Sequence, residues 1–208
     1  MILVTFKEHL IGRYGYNEPI SVDMIQFKSY SRSWIFKELK KLVDKGEIKR
    51  FDVGLYYFPK KMFFGDSLLD PRKVVERRFI TDGSDVYGYI SGVSLLNQTG
   101  LSTQVPNLIE LVTNKETTRV REINIGTQHV RARCARTFIT KENVNTLQFL
   151  DLMNTVIPND LGKNERYMLS KYIKASGVTR FDVMDNLKFF PNRAAKNLMD
   201  SGAAYELA

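Results

Sequence analysis

The segment from Ser21 to Pro59 constrains the fold more than any other part of the chain, because helix and strand signals follow one another in it without long gaps. Ser31 is a favourable N-cap residue placed immediately before a periodic apolar run. Gly46 lies where a left-handed glycine commonly ends a helix. We therefore predict a helix of about four turns between these two residues.

The predicted helix has one apolar face and one cationic face, because side chains three or four positions apart lie on the same side of a helix. The apolar stripe contains Ile35, Leu39, Leu42 and Val43, with Phe36 at its edge, and the opposite face contains Ser33, Lys37, Lys40 and Lys41. The apolar stripe would pack into a core. The lysine face would be free to contact phosphates, although lysine-rich faces are also common on helices that are merely solvated.

The neighbouring segments complete a winged helix-turn-helix pattern. Residues 2 to 14 predict an opening helix, Val22 to Ile25 a short second helix, and Phe27 to Tyr30 the connecting turn. From Ile48 to Phe58 the sequence alternates and is rich in aromatic residues, with its bend at Gly54, which predicts the hairpin called a wing. We therefore expect a DNA-binding domain over residues 1 to 60, the alternative being an ordinary helical packing unit.

Charge favours an anionic partner. The chain of 208 residues has 31 Lys and Arg against 23 Asp and Glu, a formal charge of +8. Residues 1 to 60 contain 11 basic and 7 acidic residues, so a net charge of +4 falls in less than a third of the chain. Nucleic acid is the anionic partner that this distribution favours, because phosphate neutralisation requires clustered cations.

The expected cellular compartment follows from the lack of disulfide, signal-peptide and membrane-helix signals in the sequence. Cys134 is the single cysteine, so no intramolecular disulfide can form. Lys7, Glu8 and His9 interrupt the apolar N-terminal stretch, which argues against a signal peptide, and no apolar run reaches the roughly 18 residues of a membrane helix. We expect a cytoplasmic protein without a membrane partner.

A second domain is expected from residue 66 to residue 208, helical from about residue 141, so that the fold class is α+β with an α/β domain after the winged one. In the connecting region we expect Met62, Phe63 and Phe64 to be buried. The predicted helices are Pro71 to Arg78, Tyr87 to Gln98, Lys141 to Val156, Asn164 to Ser176, Arg180 to Phe189 and Asn192 to Asp200; the predicted strands are Val105 to Thr113 and a hairpin of Arg119 to Ile125 with Thr127 to Ile139.

One stretch of this second domain resembles a known family. The sequence from Tyr87 to Asn114, YGYISGVSLLNQTGLSTQVPNLIELVTN, is similar to that of the AbiEi antitoxins of type IV toxin-antitoxin systems. The KGEI and GLYYFP stretches, which begin at Lys45 and Gly54, also resemble the winged domain of that family. The resemblance implies an autorepressor that binds inverted repeats of double-stranded DNA in its own promoter. It also implies that the functional partner is a nucleotidyltransferase-like toxin, which the antitoxin opposes without forming a stable complex with it.

The start of the main helix and the wing supply the expected DNA contacts. These residues are Ser29, Tyr30, Ser31, Arg32, Ser33, Lys37, Lys40, Lys41, Lys49 and Arg50. The first turn would meet base edges, with Ser33 and Lys37 best placed by angle, and Lys40 and Lys41 would meet phosphates. Alternatively Ser31 only caps the helix and Arg32 only pairs with a neighbour, while Trp34 packs on the second helix.

A second basic cluster lies in the predicted hairpin of the second domain. Arg119 and Arg121 share parity on one strand, as do His129, Arg131 and Arg133 on the other, so we expect all five on one sheet face. Such a basic face could bind RNA or the toxin. It supports an alternative function in which the second domain binds RNA or neutralises the toxin and the winged domain serves as a protein-docking module. The opposing interpretation is a solvated outer face with Val130, Ala132 and Cys134 turned inward.

Catalysis has little support in the sequence. His9 and His129 lie in unrelated contexts, and no nucleotide-binding or hydrolase motif is present. The acidic-x-Lys pattern of Glu47 to Lys49 falls in the wing without an acidic partner. We therefore predict no enzyme activity, no catalytic or metal-binding residue and no cofactor. A two-fold symmetric operator would require a dimer or two cooperating monomers, and either is compatible with the sequence.

Overall fold

In the computed structural model, the residues described are 4 to 27 and 30 to 208. The chain divides into two compact units, Met1–Val74 and Val75–Ala208. Helices alternate with three separate small sheets in the described residues, so the fold is α+β.

The first unit begins with helices and a three-stranded sheet. Its elements are α1 (Phe6–Tyr14), β1 (Ile20–Ser21), a single 3-10 turn (Val22–Met24), α2 (Arg32–Asp44), β2 (Lys49–Asp52) and β3 (Leu55–Tyr57). The short second helix predicted from the sequence is therefore only one 3-10 turn. The reason is that Ser21 pairs with Leu55 in the sheet and Ile25 is extended, which leaves three residues for the turn.

The predicted limits of α2 are confirmed. Ser31 caps the helix, its hydroxyl accepting the backbone N–H of Trp34 at 3.3 Å, and Gly46 follows the helix with a φ of +68°. The predicted stripe faces the core, where Ile35, Leu39 and Leu42 are buried. The expected hairpin is present as β2 and β3, which turn at Gly54 with a φ of +69°.

A second hairpin follows and corrects one expectation. Strands β4 (Lys61–Met62) and β5 (Gly65–Asp66) pair antiparallel and hold Phe63 and Phe64 at their turn. These two phenylalanines are 95% and 98% exposed, and Met62 is also exposed, so the expectation that they are buried was wrong. Residues at the turn of a two-residue hairpin project away from the sheet, whereas the sequence suggested burial only because they are apolar. Helix α3 (Pro71–Phe79) comes next, as predicted.

The second unit contains a four-stranded mixed sheet. Its elements are β6 (Gly88–Ile90), α4 (Gly92–Gln98), β7 (Leu108–Thr113), β8 (Arg121–Ile125) and β9 (Gln128–Cys134). The strand order is β6-β7-β9-β8, in which β7 and β9 are parallel and the other pairs are antiparallel. The predicted hairpin of β8 and β9 is confirmed.

The single helix predicted from Tyr87 to Gln98 is wrong in its first half. Residues Gly88–Ile90 form β6, which pairs with β7, and the helix begins only at Gly92. Gly88 lies so close to neighbouring backbone that a Cβ there would be 2.0 Å from the carbonyl oxygen of Phe79. The glycine therefore permits a close backbone contact with the end of α3, which no local helix signal reveals.

Four helices complete the second unit: α5 (Val144–Thr155), α6 (Lys163–Ser176), α7 (Arg180–Asn186) and α8 (Asn192–Asp200). Their predicted positions are confirmed, although α5 begins three residues later than expected. Seven of the twelve residues of α5 are buried, which makes it the central helix of the core of this unit. Among the described residues, none of the helices combines the length and apolar character needed to cross a membrane.

Replacing Leu39 with alanine should destabilise the first unit, because this α2 side chain is fully buried in the core of that unit. We expect a loss of about 2–5 kcal/mol in the free energy of unfolding. Chemical denaturation followed by the fluorescence of Trp34, the single tryptophan, would measure it. The matched control is Phe36→Ala on the same helix, whose side chain is 43% exposed and should cost clearly less. Equal losses would contradict the orientation of α2.

Candidate nucleic-acid interface

One face of α2 presents cations without carboxylate partners. Ser33, Lys37 and Lys40 are exposed and lie along one stripe of the helix, which ends at Asp44. Within residues 4 to 27 and 30 to 208, Lys37 and Lys40 take part in no ion pair, whereas Lys41 lies 2.5 Å from Glu38. The positive charge of Lys37 and Lys40 is therefore uncompensated at the surface.

The first turn of α2 is held by polar contacts. The Ser31 hydroxyl is used as the helix cap, and the Arg32 guanidinium pairs with Asp23 in the 3-10 turn. The same guanidinium lies 5.9 Å from the centre of the Phe36 ring. Because both members of the Arg32–Asp23 pair are largely exposed, the pair is worth only about 0–1 kcal/mol, and a phosphate can replace Asp23 at little cost.

Aromatic rings fix where α2 starts. The ring of Trp34 stacks on Tyr30 at 4.1 Å and on Phe27 at 5.8 Å, and meets Phe6 edge-on at 5.4 Å. Trp34 is partly buried against the core of the unit, so it packs on the segment that follows the 3-10 turn. Tyr30 lies beside the first turn and is 46% exposed. Ser29, also predicted to contact DNA, lies outside the described residues.

The two basic residues of β2, Lys49 and Arg50, differ in their contacts. Lys49 Nζ lies 3.1 Å from Asp66 Oδ2, while Lys61 Nζ lies 2.6 Å from the other carboxylate oxygen. Hydrogen bonds from Lys61 and then from Lys49 hold the pKa of Asp66 below its ordinary value. Arg50 is exposed and donates from Nε to the carbonyl oxygen of Asp52 at 3.2 Å. Arg50 is thus paired with no carboxylate in the described residues, whereas Lys49 is tied to the second hairpin.

The arginines of the second unit do not share one face, which corrects the sequence prediction. Residues directly opposite each other on paired strands point to the same side of a sheet. The turn after β8 has two residues and pairs Ile125 with Gln128, so Arg121 lies opposite Ala132 and not opposite another arginine. Arg121 therefore faces away from Arg131, and Arg119 lies before β8 begins. Counting alternate residues along each strand had suggested one shared face. That count does not include the length of the turn, which decides which residues of the two strands lie opposite each other.

Acidic partners also neutralise these arginines. Arg131 lies 2.7 Å from Glu122 and 3.6 Å from Glu110, and Arg121 lies 3.5 Å from Glu116. His129 Nδ1 lies 2.6 Å from Asn124 Oδ1. The continuous basic face on which the RNA-binding or toxin-binding alternative depended is therefore absent from the described residues.

Arg133 belongs to a buried network that the sequence did not reveal. Its Nη2 donates to Asp151 Oδ2 at 2.8 Å and to the hydroxyl of Ser91 at 2.5 Å, and Ser91 in turn donates to Asp151. Asp151 is only 1% exposed, and Ser91 is fully buried. A single acidic residue within the apolar run of α5 was the available signal, since an isolated buried carboxylate needs a cation nearby.

The remaining candidates do not converge. His9 Nε2 lies 2.9 Å from the carbonyl oxygen of Gln26, and its ring packs on Phe27 in the first unit. No set of three or more His, Cys, Asp or Glu side chains in the described part of the chain is arranged to hold a metal ion.

A protein-family model matches residues 21 to 150, which is more than half of the chain. The chain belongs to DUF6088, a family of unknown function. The matched range of the DUF6088 model includes α2, the hairpin of β2 and β3, and the whole mixed sheet, and it ends within α5. Helices α6 to α8 lie outside it. A search of curated proteins finds no match to the chain.

Removing the carboxylate of Asp151 should destabilise the second unit, because Arg133 would lose its compensating charge in a largely buried site. We expect Asp151→Ala to lower the free energy of unfolding by about 3 kcal/mol, measured by denaturation followed by circular dichroism. The control is Glu122→Ala, which removes an exposed carboxylate from Arg131, a neighbour of Arg133 on β9. This variant should lower the free energy of unfolding much less. An equally small effect of both variants would contradict the structural role of the network.

Proposed function

We propose that residues 1 to 60 form a winged helix-turn-helix domain that binds double-stranded DNA, and that the protein is a transcriptional repressor. The order of α1, the 3-10 turn, α2 and the hairpin of β2 and β3 supports this proposal. Strand β1 pairs with β3 and so joins the hairpin to the segment that precedes α2. In this arrangement α2 is the recognition helix, and the turn at Gly54 is the tip of the wing.

The observation that carries the proposal is the uncompensated stripe of α2. Ser33, Lys37 and Lys40 are exposed on the side opposite the buried residues, and the two lysines have no acidic partner among the described residues. A helix fits the major groove of B-form DNA with its first turns against base edges. Ser33, in the first turn, would contact bases, and Lys37 and Lys40 would contact the backbone phosphates.

Other exposed groups extend this surface. Arg32 would exchange Asp23 for a phosphate or a base, and Arg50 in the wing would contact the backbone beside the groove. Lys41 and Lys49 contribute less, because each is already paired with a carboxylate. The pairing of the sheet arginines in the second unit favours DNA binding by α2 over the alternative of RNA or toxin binding by that sheet.

Substituting both Lys37 and Lys40 with alanine should weaken DNA binding on the order of tenfold, because two phosphate contacts are lost. The slope of log affinity against log salt should become shallower by about two. Fluorescence anisotropy of a labelled duplex taken from the DNA upstream of the gene, between about 50 and about 200 mM KCl, would measure both quantities.

The matched control for this experiment removes the same two charges from another helix. Lys163 and Lys171 are exposed on α6, so the double variant Lys163→Ala and Lys171→Ala has the same net charge as the test variant. We expect it to bind DNA nearly as the unmodified chain does. Equal losses in both double variants would show that only net charge matters and would remove α2 from the proposal.

We further propose that this repressor is the antitoxin of a type IV system whose toxin is a nucleotidyltransferase-like protein encoded beside it. The resemblance of Tyr87 to Asn114 to the AbiEi antitoxins supports this role. The sequence of the neighbouring gene tests the partner directly. DNA binding by the first unit does not depend on this assignment.

Co-expression with the neighbouring gene would separate the two roles. The Lys37→Ala and Lys40→Ala double variant should lose repression of a promoter reporter and should still protect cells from the toxin, because the antitoxin role is assigned to the second unit. The measurements are reporter output and growth after induction of the toxin. If the unmodified chain gives no protection, the antitoxin role is wrong, whereas the DNA-binding proposal stands.

A further inference from the structure

A cavity of about 300 Å³ opens within the second unit and is unrelated to the α2 surface. Its polar lining is Arg119, Arg133, Arg136, Asp151, Tyr89 and Cys134. This volume is at the lower end of the range of small-molecule sites in proteins. Three guanidinium groups around one concave site are more than the single carboxylate can neutralise.

The charges in the cavity leave a net excess of two cations. The carboxylate of Asp151 is paired with Arg133 at 2.8 Å. Arg119 is exposed and has no hydrogen-bond or ion-pair partner within residues 4 to 27 and 30 to 208. Arg136 contacts the ring of Phe190 at 5.6 Å from its centre and has no carboxylate partner in the same residues. Arg119 and Arg136 are therefore available to a bound anion.

Arg133 is held in place before any ligand arrives. The hydrogen bonds that it makes in the described residues leave from Nη2, toward Asp151 and Ser91, so its Nε and Nη1 donors are unused. A guanidinium fixed in this way offers its remaining donors at little further entropic cost. Asp151 and Ser91 thus act as positioning residues for the cavity.

The sheet topology explains why these residues meet. Parallel strands β7 and β9 end at the same edge, and small ligands of open α/β sheets bind beyond the carboxyl ends of parallel strands. The N–H of Cys134 donates to the carbonyl oxygen of Thr118 at 3.3 Å, which brings the residues before β8 beside the end of β9. Arg119, Arg133 and Arg136 consequently line the same cavity.

We propose that this cavity binds a small phosphomonoester, with its phosphate held by Arg119 and Arg136 and oriented by Arg133. A planar guanidinium group can donate two parallel hydrogen bonds to two oxygens of one phosphate. The excess of two positive charges in the lining would balance the charge of a phosphomonoester, which is about −1.5 to −2 at pH 7. The cavity is also lined by Val112, Val120 and Ala135, and Val120, which is 49% exposed, provides an apolar contact for the organic part of the ligand. The site does not depend on DNA binding.

Cys134 provides a direct test, because it lines the cavity and is the single cysteine of the chain. The rate of its alkylation by N-ethylmaleimide, a neutral reagent, would be measured in the full chain with inorganic phosphate, with adenosine 5′-monophosphate, and with acetate at equal ionic strength. We expect adenosine 5′-monophosphate to slow alkylation on the order of tenfold at ten times its dissociation constant. Inorganic phosphate should protect more weakly, and acetate should not protect.

Each variant is assessed by the ratio of its Cys134 alkylation rates with and without ligand. Arg119→Gln together with Arg136→Gln should abolish protection, and Arg119→Gln alone should reduce it. Arg131→Gln is the matched control, because Arg131 lies on β9 with Arg133 and Cys134 but does not line the cavity. Adenosine 5′-monophosphate should protect Cys134 in this variant as in the unmodified chain. Isothermal titration with adenosine 5′-monophosphate gives an independent comparison of the same variants, and circular dichroism shows whether each is folded.

Several results would overturn the proposal. These are an absence of both protection and binding heat with either phosphate probe, equal protection by acetate, full protection in the folded Arg119→Gln and Arg136→Gln variant, or an equal loss in Arg131→Gln. Each of them would leave the proposed DNA binding by α2 unaffected, because that surface is formed by other residues.

Discussion

The second unit depends on the buried carboxylate of Asp151. A charge that is only 1% exposed is unfavourable unless a cation and hydrogen bonds compensate it, and here Arg133 and Ser91 do so. Asp151 belongs to the central helix α5, Arg133 to β9, and Ser91 to the junction of β6 and α4. One polar contact therefore joins the sheet to the helical core. The same contact fixes Arg133 at the cavity, so stability and the proposed anion site share one constraint.

The distribution of paired and unpaired cations separates structural arginines from candidate binding groups. Arg121 and Arg131 are each matched by a carboxylate, whereas Lys37 and Lys40 on α2 have none in the described residues. A formal charge of +8 says only that cations are in excess. The surfaces that can attract phosphate are those where the fold leaves cations in excess of the acids beside them, which makes pairing more informative than composition.

Signals that act over a few residues allowed much of the fold to be predicted. The cap at Ser31, the buried stripe of Leu39 and its neighbours, and the hairpin turn at Gly54 all follow from local backbone and side-chain preferences. The errors arose where a distant contact overrides such preferences. Gly88 belongs to a strand because it pairs with Thr113, and Phe63 is exposed because its hairpin projects it outward. Of the candidate α2 surface, the lysine stripe was predictable, but the partners of Arg32 and Lys49 were not.

The sequence by itself determined the position of α2, its two faces and the hairpin after it, because helix periodicity and capping are properties of neighbouring residues. Only the tertiary structure decided which cations are free, on which side of the sheet each arginine lies, and that Arg119, Arg133 and Arg136 surround one cavity. Strand register and ion pairing join residues that are far apart in the chain. A single sequence therefore gives the types of these residues and their spacing, and the fold alone gives their partners.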